Sequence, residues 1–97
     1  MIQVRVRAIG ALAQAMASTE STVTLDSGAT VEDLLRGLLQ EHGPSLARWL
    51  ADSDGRSSTS HTRTLVNGRD LFVLDDVRTR LRDGDLVSLI PVVAGGA

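Results

Sequence analysis

Val31, Leu34, Leu35, Leu38, Leu39 and His42 fall at i, i+3, i+4, i+7, i+8 and i+11. That spacing draws one apolar stripe along one helix. Thr30 stands at the N-cap position and Asp33 three residues later completes a capping-box pattern. Gly43-Pro44 supplies the stop, with glycine just past the end and proline after it. His42 falls in the last turn, where a partly positive imidazole favours the helix C-terminus. No second helix of this length is legible, and the flanking segments alternate as strands do. One long helix covers one face of one sheet. The constraint therefore points to an α+β chain with a sheet bare on its other side.

The strands can be placed in order. Ile2, Val4, Val6 and Ala8 share one face of a half-buried strand whose other face is Gln3, Arg5 and Arg7. Those two arginines fit either a binding face or solvated strand positions. Residues 10–17 are alanine-rich, with Leu12 and Met16 one turn apart, and predict a short helical turn. Residues 21–26 alternate as a second strand, and Ser27-Gly28-Ala29 predicts a turn. After the main helix, Ser45 is the expected cap of a shorter helix carrying Leu46, Trp49 and Leu50 on one face, with Trp49 as a core plug. Residues 52–62 are polar and rich in serine, which predicts a surface loop. An extended stretch at 63–67 reaches Asn67-Gly68, a hairpin signal because both residues tolerate positive φ. Residues 71–74 are expected to continue extended, and the charged stretch 75–82 to form a short helical turn anchored by Val77 and Leu81. Asp83-Gly84-Asp85 turns the chain into a final strand at 86–90 that is apolar on both faces, as an interior strand should be. Either Leu86 and Ile90 or Val87 and Leu89 then point to the uncovered side, where they would form a patch for a partner.

Composition narrows the function. The chain has 97 residues, enough for one small core, and its aromatic residues are Trp49 and Phe72, so that core is aliphatic. A net charge of −2 argues against a dedicated nucleic-acid binder, and no apolar run reaches membrane-spanning length. With no cysteine there is no thiol nucleophile or thiolate metal site, and a cytoplasmic setting is expected. All ten basic residues are arginine. That fits a bias of the source organism, or a chain that gains from having few amines to acylate. His42 and His61 lie in no metal-ligand motif, and Ser57, Ser58 and Ser60 lack a nucleophile elbow. No catalytic residue and no metal site are expected. Arg78, Arg80 and Arg82 suit contact with an acidic partner or a solvated face.

The end of the chain carries the strongest functional signal. Pro91-Val92-Val93-Ala94-Gly95-Gly96-Ala97 follows the apolar strand directly. Proline is a point where a tail can leave a sheet, and paired glycines can thread a slot that any side chain would block. Six residues beyond Pro91 reach roughly 20 Å when extended. The expected organisation is a domain over 1–91 and a tail over 92–97.

These pieces resemble, in their order, the MoaD/ThiS family of ubiquitin-like sulfur carriers. The resemblance is carried by Val23-Thr24-Leu25, Gly28-Ala29-Thr30-Val31, Leu65-Val66-Asn67-Gly68-Arg69-Asp70 and the long run from Leu81 to Gly96. It implies a β-grasp fold, a mixed sheet of four to five strands packed on one main helix. It also implies that an E1-like adenylyltransferase uses ATP to adenylate a terminal glycine, which a sulfur donor converts to a thiocarboxylate. Transferred to this chain, Gly96 would carry the adenylate and then the thiocarboxylate. Gly95 would give clearance, and Val92, Val93 and Ala94 would seat the tail. No cofactor would be bound by the chain itself.

Ala97 departs from the pattern, because it locks Gly96 in a peptide bond. The resemblance implies a precursor cut between Gly96 and Ala97 by a processing metalloprotease, or else a relative that is no longer activated. Molybdopterin synthesis, with a larger catalytic subunit as partner, is the expected destination of the sulfur. A ubiquitin-like protein modifier joined to targets through Gly96 and a β-grasp interaction module with an inert tail are the alternatives.

Overall fold

The computed structural model describes residues 1–51 and 61–92. Five strands, β1 (Ile2–Ala8), β2 (Glu20–Leu25), β3 (Thr62–Val66), β4 (Arg69–Asp70) and β5 (Leu86–Pro91), form one mixed sheet in the order β2-β1-β5-β3-β4. β5 lies in the interior, parallel to β1 and antiparallel to β3. Its apolar sequence on both faces follows from that position. The helices α1 (Gly10–Met16), α2 (Val31–His42) and α3 (Pro44–Leu50) supply the rest of the core.

The main helix forms as its stripe predicts. Val31, Leu34, Leu35 and Leu38 are buried against Val4, Val6, Val87 and Leu89. Each such side chain contributes about 1.5–3 kcal/mol on leaving water. Thr30 caps the helix: its Oγ1 accepts from the Asp33 N–H at 3.3 Å, and its own N–H donates to Asp33 Oδ2 at 2.9 Å. The Thr30 backbone bond holds the Asp33 carboxyl below its ordinary pKa of 3.8.

Four local expectations change. Ser45 does not cap α3; Gly43, at φ +62°, ends α2 and precedes α3, and Pro44 takes the first helical position. Proline fits there because that N–H has no intrahelical partner to lose. Thr62 belongs to β3 rather than a loop, buried with its hydroxyl donating to the Trp49 carbonyl at 2.8 Å. The other residues expected in that loop, 52–60, lie outside the described residues. Residues 71–74 do not continue as strand, since β4 stops at Asp70 and Leu71–Val73 coil into a single 3₁₀ turn that buries Leu71. Finally, Pro91 does not leave the sheet: it pairs with Thr62, and the Val92 N–H donates to the His61 carbonyl at 3.0 Å. Alternation turns the missing N–H of Pro91 toward β1, whose pairing with β5 already ends at Ala8 and Leu89. Proline therefore removes no bond there.

Candidate functional site

β5 delivers the chain to its tail, and it is held at both ends. At its start, the Asn67 side chain accepts from the Leu86 N–H at 3.0 Å and donates to Asp85 at 2.9 Å. Asp83 accepts from the Gln3 N–H at 2.8 Å, and the Arg5 N–H donates to the Asp85 carbonyl at 2.8 Å. At its far end, Pro91 sits over Gly10, where an added Cβ would lie 3.6 Å from the proline ring and φ is +57°. A small cavity of about 270 Å³ beside this end is lined by Arg48, Trp49 and His61. Val92, 47 % exposed, is the last described residue. The other expected site residues, Val93, Ala94, Gly95, Gly96 and Ala97, lie outside the described residues.

The register decides which β5 residues face away from the helices. Val87 and Leu89 are buried, whereas Leu86, Ser88 and Ile90 are half-buried on the opposite face. Arg5 pairs with Leu86, Arg7 with Ser88, Leu65 with Ser88 and Arg63 with Ile90. Leu65, Leu86 and Ile90 thus form a short apolar strip, and Arg5, Arg7 and Arg63 stand beside it. Two carboxylates pin those arginines. Glu20 lies 3.6 Å from Arg5 and 4.0 Å from Arg7, and Asp70 bonds Arg63 at 2.6 Å. The arginines of these pairs are exposed, so each bridge contributes less than about 1 kcal/mol and is open to exchange for a partner's carboxylate. Among the described residues no helix covers this face. Leu65 was not legible as part of the patch, because its membership depends on the strand it pairs with.

Chemistry intrinsic to the fold is sparse. Among the described residues no group of three or more His, Cys, Asp or Glu side chains is placed to hold a metal, and no helix is long and apolar enough to cross a membrane. What the arrangement offers is an anchored strand, a tail continuing from it, and a mixed apolar and cationic face alongside.

Comparison with known proteins agrees with this geometry. Residues 9–96 match the ThiS family model, a match that runs through Gly96. The chain is 42 % identical over 72 residues to small archaeal modifier protein 3 of Haloferax volcanii, covering 74 % of this chain and 75 % of that protein. It is 39 % identical over 67 residues to a putative sulfur carrier protein of Archaeoglobus fulgidus, covering 69 % and 74 %. The crystal structure of SAMP1 from Haloferax volcanii superposes with a TM-score of 0.80 at 29 % identity, covering 97 % of this chain and 99 % of that one. A putative molybdopterin converting factor subunit 1 from Pyrococcus furiosus gives 0.75 at 25 % identity, covering 96 % and 100 %. The β-grasp expectation and the family resemblance both hold.

Proposed function

The chain belongs to the ThiS family of ubiquitin-like proteins, and on that premise we propose that it is a sulfur carrier working through Gly96. The observation that carries the reading is the position of β5, an interior strand clamped at both ends that leads directly into Val92 and the Gly95-Gly96 tail. A tail rooted in an anchored interior strand starts from a fixed point on the domain surface. That suits insertion into another protein's active site.

The chemistry needs a free carboxylate. Gly96 is followed by Ala97, so a metalloprotease must first cut that peptide bond. An E1-like adenylyltransferase then supplies ATP. A Gly96 carboxylate oxygen attacks the α-phosphorus, pyrophosphate leaves, and the mixed anhydride with AMP forms. A sulfide-level donor attacks the carbonyl carbon; its C–S bond forms as the C–O bond to AMP breaks, leaving the thiocarboxylate. This chain contributes positioning. Gly95 passes the slot without a side chain, Val92, Val93 and Ala94 seat the tail, and the strip of Leu65, Leu86 and Ile90 docks the partner. Molybdopterin synthesis, with a larger catalytic subunit, is the destination we favour, supported by the likeness to the Pyrococcus protein. The absence of cysteine and the dependence on ATP suit the cytoplasm.

The name of the Haloferax relative supports a second reading, in which activated Gly96 acylates a lysine of a target protein. Both readings share the first step. Pyrophosphate exchange driven by the activating enzyme tests it, comparing the full chain with one ending at Gly96. The proposal expects exchange with the shorter chain alone; equal exchange with the full chain would remove the need for maturation, and none with either would remove the activation itself. Thiocarboxylate on Gly96, against isopeptide adducts on target lysines, separates the two readings.

A further inference from the structure

Arg78, Arg80 and Arg82 lie on a segment that the activation chemistry does not use. The Val31 N–H donates to the Thr79 carbonyl at 2.9 Å, and the Leu81 N–H donates to the Ala29 carbonyl at 2.8 Å. Thr30 and Arg80 are therefore partners in an isolated antiparallel bridge, which holds residues 79–81 against the start of α2, while Arg78 ends the 3₁₀ turn Asp76–Arg78 just before it. Leu81 is buried, whereas Arg78, Arg80 and Arg82 are exposed. At about 3.3 Å per residue, the backbone positions of Arg80 and Arg82 stand roughly 7 Å apart.

Across from them, Arg69 projects from the β3–β4 hairpin. A cleft of about 480 Å³ between the two is lined by Arg69, Arg80, Arg82 and Leu74, and it continues into one of about 760 Å³ that reaches Arg78. None of these four arginines has an ion-pair partner among the described residues. The contrast with Arg5, Arg7 and Arg63, each paired, is sharp. Asp85 lines the cleft itself, and among the described residues no carboxylate lies within ion-pair distance of these four arginines. Asp85 is committed to Asn67 and to the Arg82 N–H, and Asp83 to the Gln3 N–H. Asp75 lines the wider part.

The bridged segment also has a free edge. Alternation turns the Arg80 N–H and C=O away from Ala29 and Val31, and no described residue bonds them. Exposed backbone on a strand edge recruits another strand.

We propose that this cleft binds an extended acidic segment of a partner protein, whose carboxylates at alternate residues match Arg80 and Arg82 while its backbone pairs with Arg80. In an added strand, side chains on one face recur at the same spacing of roughly 7 Å, so two carboxylates meet Arg80 and Arg82 in register, with Arg69 and Arg78 flanking them. Nucleic acid suits the cleft less well. The chain's net charge is −2, the free backbone edge has no role with a phosphate chain, and the described lining residues offer no aromatic ring for a base to stack on. The cleft lies at the start of β5 and the tail at its end, a strand's length of roughly 20 Å apart. A segment bound here leaves the tail free to enter an active site.

The test is an amide NMR titration of the full chain at low salt with a seven-residue peptide alternating serine and glutamate. A second peptide of the same composition, with its glutamates contiguous, controls for charge. The expected result is shifts at residues 67–69 and 79–82, tighter binding of the alternating peptide, and weakening of about three- to tenfold in Arg80→Gln/Arg82→Gln. Arg5→Gln, on the other face, should bind as the parent does. Both variants replace exposed side chains, and their own amide spectra report that the fold is kept. Four outcomes would overturn the proposal: no shifts at these residues, equal binding of the two peptides, binding unchanged in the double variant, or tighter binding of an oligothymidylate at the same amides.

Discussion

Replacing Asn67 should cost far more than its exposed position suggests, and the cost should depend on the replacement in a specific order. Asn67 has φ +52° and Gly68 φ +83°, the pair of positive angles that a tight two-residue hairpin turn requires. The Asn67 side chain also ties this hairpin to β5, accepting from the Leu86 N–H at 3.0 Å and donating to Asp85 at 2.9 Å. Removing both bonds costs about 0.5–1.5 kcal/mol each, and because Asn67 is exposed and water replaces them, about 1–2 kcal/mol for the pair. Asn67→Ala loses that and keeps a Cβ in the left-handed region, for a total of about 1–2 kcal/mol. Asn67→Gly loses the same bonds but sheds the left-handed strain of the Cβ, about 1–2 kcal/mol, so its net cost is smaller. Alanine should therefore be worse than glycine, the reverse of their usual order in regular structure. Asn67→Asp keeps the acceptor for Leu86 but sets a second carboxylate against Asp85, so its cost should grow as pH rises through the carboxylate range. Urea unfolding with a shared m-value measures all three. Equal stabilities for Ala and Gly would refute the strain, and a loss under about 0.5 kcal/mol in Asn67→Ala would refute the clamp.

Other expectations follow from the same structure. Thr64 is 2 % exposed and its hydroxyl has no partner among the described residues. Thr64→Val should stabilise by about 1 kcal/mol and raise Tm by about 4–8 °C, read by calorimetry. Leu89→Ala, at a fully buried position of the central strand, should cost about 2–5 kcal/mol in urea unfolding. Asp33 has a folded pKa below its ordinary 3.8, so its stabilisation is present above that value and is lost as pH falls through the folded pKa. The stability gap between the parent and Asp33→Asn should hold near neutrality and close in acid. Leu65→Ser, on the open face, should raise the activating enzyme's KM about tenfold with kcat little changed, as loss of a docking contact does.

The fold was legible where period and burial coincide. The α2 stripe, its capping box and the alternation of β1 each depend on neighbours within a turn or a pleat, and each is found where the sequence put it. The misses share another cause. Ser45 looks like a cap until Gly43 and Pro44 are seen to link two helices without a break. Residues 71–74 look like strand until the hairpin ends after two residues and Leu71 turns into the core. Pro91 looks like an exit until the side of its missing N–H is known. The open-face strip of Leu65, Leu86 and Ile90 required the β3–β5 register, and the clamp by Asn67 required knowing that Leu86 lies beside it. None of these long-range pairings leaves a mark in the local sequence. The Gly95-Gly96 signal, by contrast, is written in composition and order alone.

The intact mass of the protein from its own cells, isolated without a tag, decides whether Gly96 becomes the working terminus. The expected species is a chain lacking Ala97, with a fraction in which one oxygen is replaced by sulfur and which reverts on alkylation and hydrolysis. Ala97 retained in every molecule would contradict the sulfur-carrier function, because Gly96 would then never have had a carboxylate to activate.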